Sequence, residues 1–299
     1  MIGEDDQPRT ARVVRALRDA GIGFEILDLA PTETAVLRRD RVVVVLALAL
    51  LTLLAWSFLL WLSTDMSMGG IDMTGFRMIP SGMGLMVPAD KPWLAQEFGF
   101  VFVMWAVMMV GMMTPSAAPM FLLYAHIGRQ TEAQRRPLAA TAWFATGYFL
   151  VWVAFALLAT FAQWALERSG LLDVGMAGTS NVFAGLLFLA AGLYQWTRLN
   201  ERCLTECRRP FAFVMRHGGY RRDASGCVML GLRHGAFCVG CCWALMALLF
   251  VGGVMNVLWI VLLALLALLE RNPSGGLPIA RLSGVVLIAC SVWALSVGT

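Results

Sequence analysis

The sequence predicts an all-α, polytopic transmembrane helix bundle of six spans, with seven as the alternative. Three observations predict it. Hydrophobic residues make up 59% of the chain and charged residues 14%, with a mean hydropathy of +0.73, whereas soluble domains are about 45–50% apolar and about 25% charged. Mainly apolar stretches of about 20 residues, the length that crosses a bilayer, recur at 42–62, 98–124, 139–166, 180–197, 234–269 and 279–298. Between them the basic residues alternate: arginines crowd the amino-terminal segment, the 125–138 loop and the 198–233 loop, while 63–97 and 167–179 hold only Arg77, Lys91 and Arg168. By the positive-inside rule the arginine-rich segments face the cytoplasm, so the amino terminus is expected inside and the protein in a bacterial inner membrane.

Residues 1–41 are polar and charged, so no cleavable signal peptide is expected and the segment reads as a cytoplasmic preface. Within it, TARVVRALRDAG at 10–21 has the pattern of an amphipathic helix, with Val13, Val14 and Leu17 opposite arginines. The first span, 42–62, leads into an external loop, 63–97, that carries Met66, Met68, Met73, Met78, Met83 and Met86 among Gly, Pro and Asp. Such a loop has the composition of a copper-collecting arm, or of a lid whose methionines touch lipid.

The second span carries five methionines in ten residues, Met104, Met108, Met109, Met112 and Met113, and ends in a Pro115-x-x-x-Pro119 break. Met104, Met108 and Met112 share one helical face, with Met109 and Met113 on the adjoining strip. Thioethers are soft ligands suited to Cu(I). Methionine also fills gaps between packed helices, and both readings stand at this point.

The cysteines form a second constellation. Cys203 and Cys207 are spaced C-x3-C after the fourth span, and Cys238, Cys241 and Cys242 are spaced C-x2-C-C where the fifth begins, with His234 one turn earlier. On a helix Cys238 and Cys242 share a face and Cys241 lies beside them, and Cys203 and Cys207 are joined to that helix by one loop. The expected cytoplasmic side is reducing, which favours thiols over disulfides. The spacing is not that of a zinc module, so copper is the favoured ion and zinc the lesser one. Cys227 and Cys290 read as packing.

The fifth span is too long for one simple crossing. Its 36 residues read as one tilted helix or as two short ones turning at Gly252-Gly253. Met104-Trp105-Ala106-Val107-Met108 echoes Cys242-Trp243-Ala244-Leu245-Met246. The echo points to an internal repeat in which Met246 answers Met108, an arrangement known to build intramembrane sites.

Three ordered motifs carry a resemblance. W-A-V-M-M-V-G-M-M-T-P-S-A-A-P at 105–119, C-L-T-E-C-R-R-P at 203–210, and H-G-A-F-C-V-G-C-C-W-A-L-M at 234–246 with G-V-M-N at 253–256 resemble a bacterial family of unknown function, described as predicted metal-binding polytopic integral membrane proteins. The resemblance covers about residues 95–270. It implies a helical membrane protein that binds metal. Where that family usually reads A-M-M, this chain has Gly111-Met112-Met113 and keeps both methionines.

No enzyme motif competes: there is no phosphate-cradling glycine loop and no H-E-x-x-H, and His126, His217 and His234 are scattered. Acidic residues are scarce in the apolar runs, which argues against a proton- or sodium-coupled carrier. The net charge of +4 sits mostly in inner loops and does not indicate a nucleic-acid partner. The sequence therefore points to an integral membrane protein that handles or transports a soft metal, copper first, through Met and Cys ligands, with lipid and the ion as its partners. One alternative is a non-catalytic accessory subunit or assembly factor of a larger membrane complex. Another is a thiol-disulfide oxidoreductase using Cys238 and Cys241, or Cys203 and Cys207.

Overall fold

The computed structural model describes residues 31–68, 76–78, 86–88, 93–130, 137–172, 176–221, 223–272 and 275–297. The chain divides into two units, Met1–Arg39 and Asp40–Thr299, and the second of them builds the bundle. The amphipathic pattern at 10–21 and most of the methionine-rich segment lie outside the described residues.

The architecture is an all-α bundle with one small hairpin. Helix α1 (Pro31–Met68) continues six residues past the predicted end of the first span, and strands β1 (Phe76–Met78) and β2 (Met86–Pro88) pair antiparallel, Arg77 opposite Val87. Then come α2 (Ala95–Gln130), α3 (Pro137–Arg168), α4 (Asn181–Gln195), α5 (Arg198–Arg208), α6 (Pro210–Arg216), α7 (Ala224–Ala247), α8 (Leu249–Gly252), α9 (Val257–Glu270) and α10 (Gly276–Val297). Among the described residues, five helices are long and apolar enough to cross a membrane. They become six if α4 and α5, bent by 65°, count as one broken span.

Two expected breaks turn out differently. Pro115 and Pro119 lie inside α2, which runs on through both. Each proline removes a backbone donor and crowds the preceding turn, and beside them Thr114 Oγ1 donates to the Val110 carbonyl at 2.6 Å and Ser116 Oγ to that of Met113 at 2.9 Å. The predicted fifth span, by contrast, does break at the glycine pair. It begins at Ala224, ten residues before the expected 234, capped by Asp223, whose carboxylate accepts from the Gly226 amide at 2.6 Å. At Gly253 the backbone takes φ +90°, a conformation that suits glycine. Asn256 then caps α9, its Oδ1 accepting from the Trp259 amide at 3.2 Å.

The chain thereby doubles back. Trp259 Nε1 at the start of α9 donates to the Leu248 carbonyl, and Arg271 just past its end reaches the Cys238 carbonyl, so α9 runs antiparallel to α7. At about 1.5 Å per residue its 14 residues span about 21 Å, short of the roughly 30 Å apolar core of a bilayer. Its polar end is consequently held inside the bundle: Glu270 is 2% exposed and Arg271 7%.

Helix α7 packs most extensively on α3, and α2 packs on α3 as well. The α3–α7 contact is backbone-close: a Cβ at Gly231 would run into the Phe144 carbonyl, so only glycine fits. One polar link ties α2 to the far end of α3, Trp105 Nε1 donating to Gln163 Oε1 at 2.7 Å, and within α3 Gln163 Nε2 donates in turn to Glu167 Oε1 at 2.9 Å. Helices α4 and α10 lie antiparallel, Gly185 against Leu295 and Gly192 against Ile288. The core is rich in aromatic and methionine side chains, and Met104, Met108, Met109, Met112, Met113 and Met246 are all buried in it.

Candidate metal centre

The early start of α7 shifts its cysteines from the head of a helix to its middle. Cys238, Cys241 and Cys242 follow fourteen or more residues of helix, and all are buried. Helical spacing brings the three together as expected: the Cys241 and Cys242 thiols both donate to the Cys238 carbonyl, at 3.1 and 3.0 Å. That carbonyl would otherwise serve the helix ladder alone. Sharing it turns the two side chains back toward the same turn.

Other elements supply sulfur from either side. Helix α5, folded back from α4 by the 65° bend, packs on α7 and brings Cys207 Sγ to 3.9 Å from Cys241 Sγ. At the bend Trp196 ends α4 and Thr197 caps α5, its Oγ1 accepting from the Asn200 amide at 3.2 Å. From α2, Met113 Sδ lies 4.0 Å from Cys242 Sγ. Cys203, one turn before Cys207, sits over Gly240, where a Cβ would come within 2.7 Å of its sulfur. The predicted convergence of C-x3-C with C-x2-C-C is therefore present in the geometry. Of the methionine stripe, Met113 is the member met by a cysteine, while Met104, Met108, Met109 and Met112, like Met246, are packed in the apolar core.

The sulfurs form an open chain. Among the described residues no three His, Cys, Asp or Glu groups close into a cage fit for an ion. Two-coordinate sulfur binding needs less: with a metal–sulfur bond near about 2.3 Å, as in zinc thiolates, two sulfurs around one ion lie at most about 4.6 Å apart. The 3.9 Å and 4.0 Å pairs fall within that reach.

His234 is 3% exposed and set in an aromatic nest, its ring 5.1 Å from Phe213, 5.7 Å from Tyr148 and 6.0 Å from Phe144. Its Nδ1 has no hydrogen-bond partner. His234 and Cys238 line a cavity of about 70 Å³ together with Cys207, Arg208, Ser116 and Arg271.

Three participants carry no motif in the sequence. Arg271 reaches into the cluster, its Nη2 donating to Cys242 Sγ at 3.1 Å, to Cys241 Sγ at 3.5 Å and to the Cys238 carbonyl at 3.3 Å, while Nη1 donates to Ser116 Oγ. Tyr148 on α3 shares a 3.0 Å hydrogen bond with Cys238 Sγ. Glu270 turns away from the sulfurs, accepting from Gln195 Nε2 at 2.8 Å and Ser283 Oγ at 2.7 Å. The signal for Arg271 and Glu270 was length: an apolar run of 13 residues after Asn256 cannot carry its charged end across a bilayer. Tyr148 carried no such signal. Cys227 is a packing residue with a hydrogen bond from Tyr124 at 3.3 Å, in line with its reading as structural.

Chemically, the site combines soft sulfur donors with one fixed positive charge. A cuprous ion held by two thiolates carries a net charge of −1, which the Arg271 guanidinium offsets in place.

No curated protein and no solved structure matches the chain. The sequence model of the PpoB2 family, described as copper chaperone, matches residues 102–294, a stretch that takes in the methionine stripe, all seven cysteines and Arg271. The chain belongs to this copper chaperone family.

Proposed function

We propose that this protein is an integral membrane copper handler that holds Cu(I) on sulfur inside its helix bundle and hands it on by ligand exchange. The observation that carries the proposal is two close sulfur pairs, Cys207 with Cys241 and Cys242 with Met113, joined by the Arg271 guanidinium bonded to both Cys241 and Cys242. Cys238, Cys203 and His234 stand beside these pairs as further ligands. Cu(I) accepts two or three soft donors, so an open chain of weak sites lets it move where a closed four-ligand cage would trap it. The buried stripe of Met104, Met108, Met109 and Met112, and Met246 on α7, would extend the soft path from Met113. The methionine-rich segment at 63–97 would collect the ion.

On the distribution of arginines the amino terminus is cytoplasmic and the membrane is the bacterial inner membrane. With that orientation, the reversal between α7 and α9 supports an external carboxyl terminus. A second reading, thiol-disulfide exchange, has one observation in its favour, the 3.9 Å Cys207–Cys241 pair. It requires that Met113→Leu be silent while either cysteine is essential.

The test is copper counting. Protein purified in detergent, loaded anaerobically with Cu(I) and passed through a desalting column should retain copper, and a Cys238→Ser, Cys241→Ser, Cys242→Ser variant should retain far less. Wild-type protein that leaves the column free of copper would sink the proposal.

A further inference from the structure

The cavity beside the thiols has an unusual electrical lining. Arg271, Arg208 and His234 border it, together with Ser116, Cys207 and Cys238, and among the described residues no carboxylate does. A guanidinium does not lose its proton in proteins. Arg271 is 7% exposed and lies in no carboxylate ion pair among the described residues. Its chain neighbour Glu270 is committed to Gln195 and Ser283. The partners of Arg271 are a hydroxyl, a carbonyl and two thiol sulfurs, and its Nε has none. The Nδ1 of His234 is likewise without a partner.

Buried polar groups are nearly always hydrogen-bonded, and buried charges are nearly always paired. A buried guanidinium without a carboxylate partner among the described residues, on the wall of a cavity that a second guanidinium also lines, therefore marks a place for a ligand, and its charge gives the ligand's sign. Its size follows from the volume. About 70 Å³ admits a few water-sized particles, each needing roughly 10–15 Å³, which suits a halide.

We propose that this cavity binds a small monovalent anion of halide size between Arg271 and Arg208, and that copper reaches the thiols through it as an anionic Cu(I) complex. The second half rests on the copper reading of the site, and the first does not. A bare cuprous ion is repelled by the two guanidiniums, whereas a complex such as dibromocuprate is attracted. At the cluster two Cu–Br bonds are replaced by two Cu–S bonds. Two bromides and two thiol protons leave, and the copper stays Cu(I) throughout, so the charge of −1 on the complex passes unchanged to the dithiolate.

The experiment uses the whole protein in detergent and bromide as the probe. Bromide-81 NMR of metal-free wild type should show saturable line broadening, reversed by excess chloride and lost in Arg271→Gln. Should that variant fail to fold, Arg208→Gln, at a half-buried position, should weaken the broadening severalfold. Absence of saturable broadening in wild type overturns the anion site, whatever the copper result. Stopped-flow loading should then be at least about tenfold faster from dibromocuprate than from the cationic acetonitrile complex, with the difference reduced in Arg208→Gln. Equal rates overturn the access route. Bromide binding with no copper uptake from either source leaves the anion site standing and overturns the copper reading instead.

Discussion

Replacing Arg271 with glutamine should separate the stability of the protein from its hold on copper. In wild type the guanidinium offsets the −1 charge of a cuprous dithiolate from 3.1 Å and 3.5 Å. Glutamine is two bonds shorter, so it keeps a polar head at the site but removes the charge and the Nη contacts to Ser116 and the Cys238 carbonyl. The copper-loaded cluster then becomes an uncompensated buried anion, a loss of about 3–5 kcal/mol. At about 1.36 kcal/mol per decade, Kd for Cu(I) should rise by about two to nearly four decades. The metal-free protein loses a buried cation, so its melting temperature should stay level or rise. Arg271→Lys, which keeps a charge without the planar fork, should fall between the two. The assay is anaerobic competition against a chromophoric Cu(I) chelator, paired with thermal unfolding of the metal-free protein. A folded Arg271→Gln variant that binds Cu(I) within about threefold of wild type would refute the charge-balance reasoning.

Met113→Leu conserves volume in a fully buried position and should cost less than about 1.5 kcal/mol of stability. It should nonetheless weaken Cu(I) binding and remove the thioether from the copper coordination shell seen by X-ray absorption. Tyr148→Phe removes the 3.0 Å partner of Cys238 and should cost about 1 kcal/mol. It should also change the rate at which Cys238 is alkylated in the metal-free protein. Gly231→Ala puts a Cβ against the Phe144 carbonyl and should destabilise the fold by about 1–3 kcal/mol or more, read as a lowered melting temperature. Asp223 is held below the usual carboxylate range by the Ser225 hydroxyl and then by the Gly226 amide. A depressed folded value stabilises above the unfolded pKa and is lost as pH falls through the folded one. Asp223→Ala should therefore lower the melting temperature at neutral pH, with the gap closing only in strong acid, below the ordinary aspartate value.

The parts of the fold that depend on composition and period were legible in the sequence. Long apolar runs became α1, α2, α3, α7 and α10, and the glycine pair at 252–253 marked a real reversal. Proline was misleading at 115 and 119, because α2 runs on through both, with both residues at exposed positions on the helix surface. The start of α7 was missed because Gly226, Arg233 and His234 dilute the apolar signal of its first turns, whereas the Asp223 cap sets the true boundary. In the site, i, i+4 spacing was enough to join Cys238, Cys241 and Cys242. The arrival of Cys207 depended on a single connecting loop. Arg271 was hidden for a different reason: its role follows from α9 being too short to deliver it to water, a three-dimensional fact that only the turn at Gly253 creates.

The cluster, as proposed, holds Cu(I) on soft sulfur, with the Arg271 guanidinium matching the −1 charge of a cuprous dithiolate. The most direct test of that claim is copper K-edge X-ray absorption on the wild-type protein loaded anaerobically. The expected result is Cu(I) in a two- or three-coordinate shell of sulfur alone. A shell dominated by nitrogen or oxygen, or an edge reporting Cu(II), would contradict it.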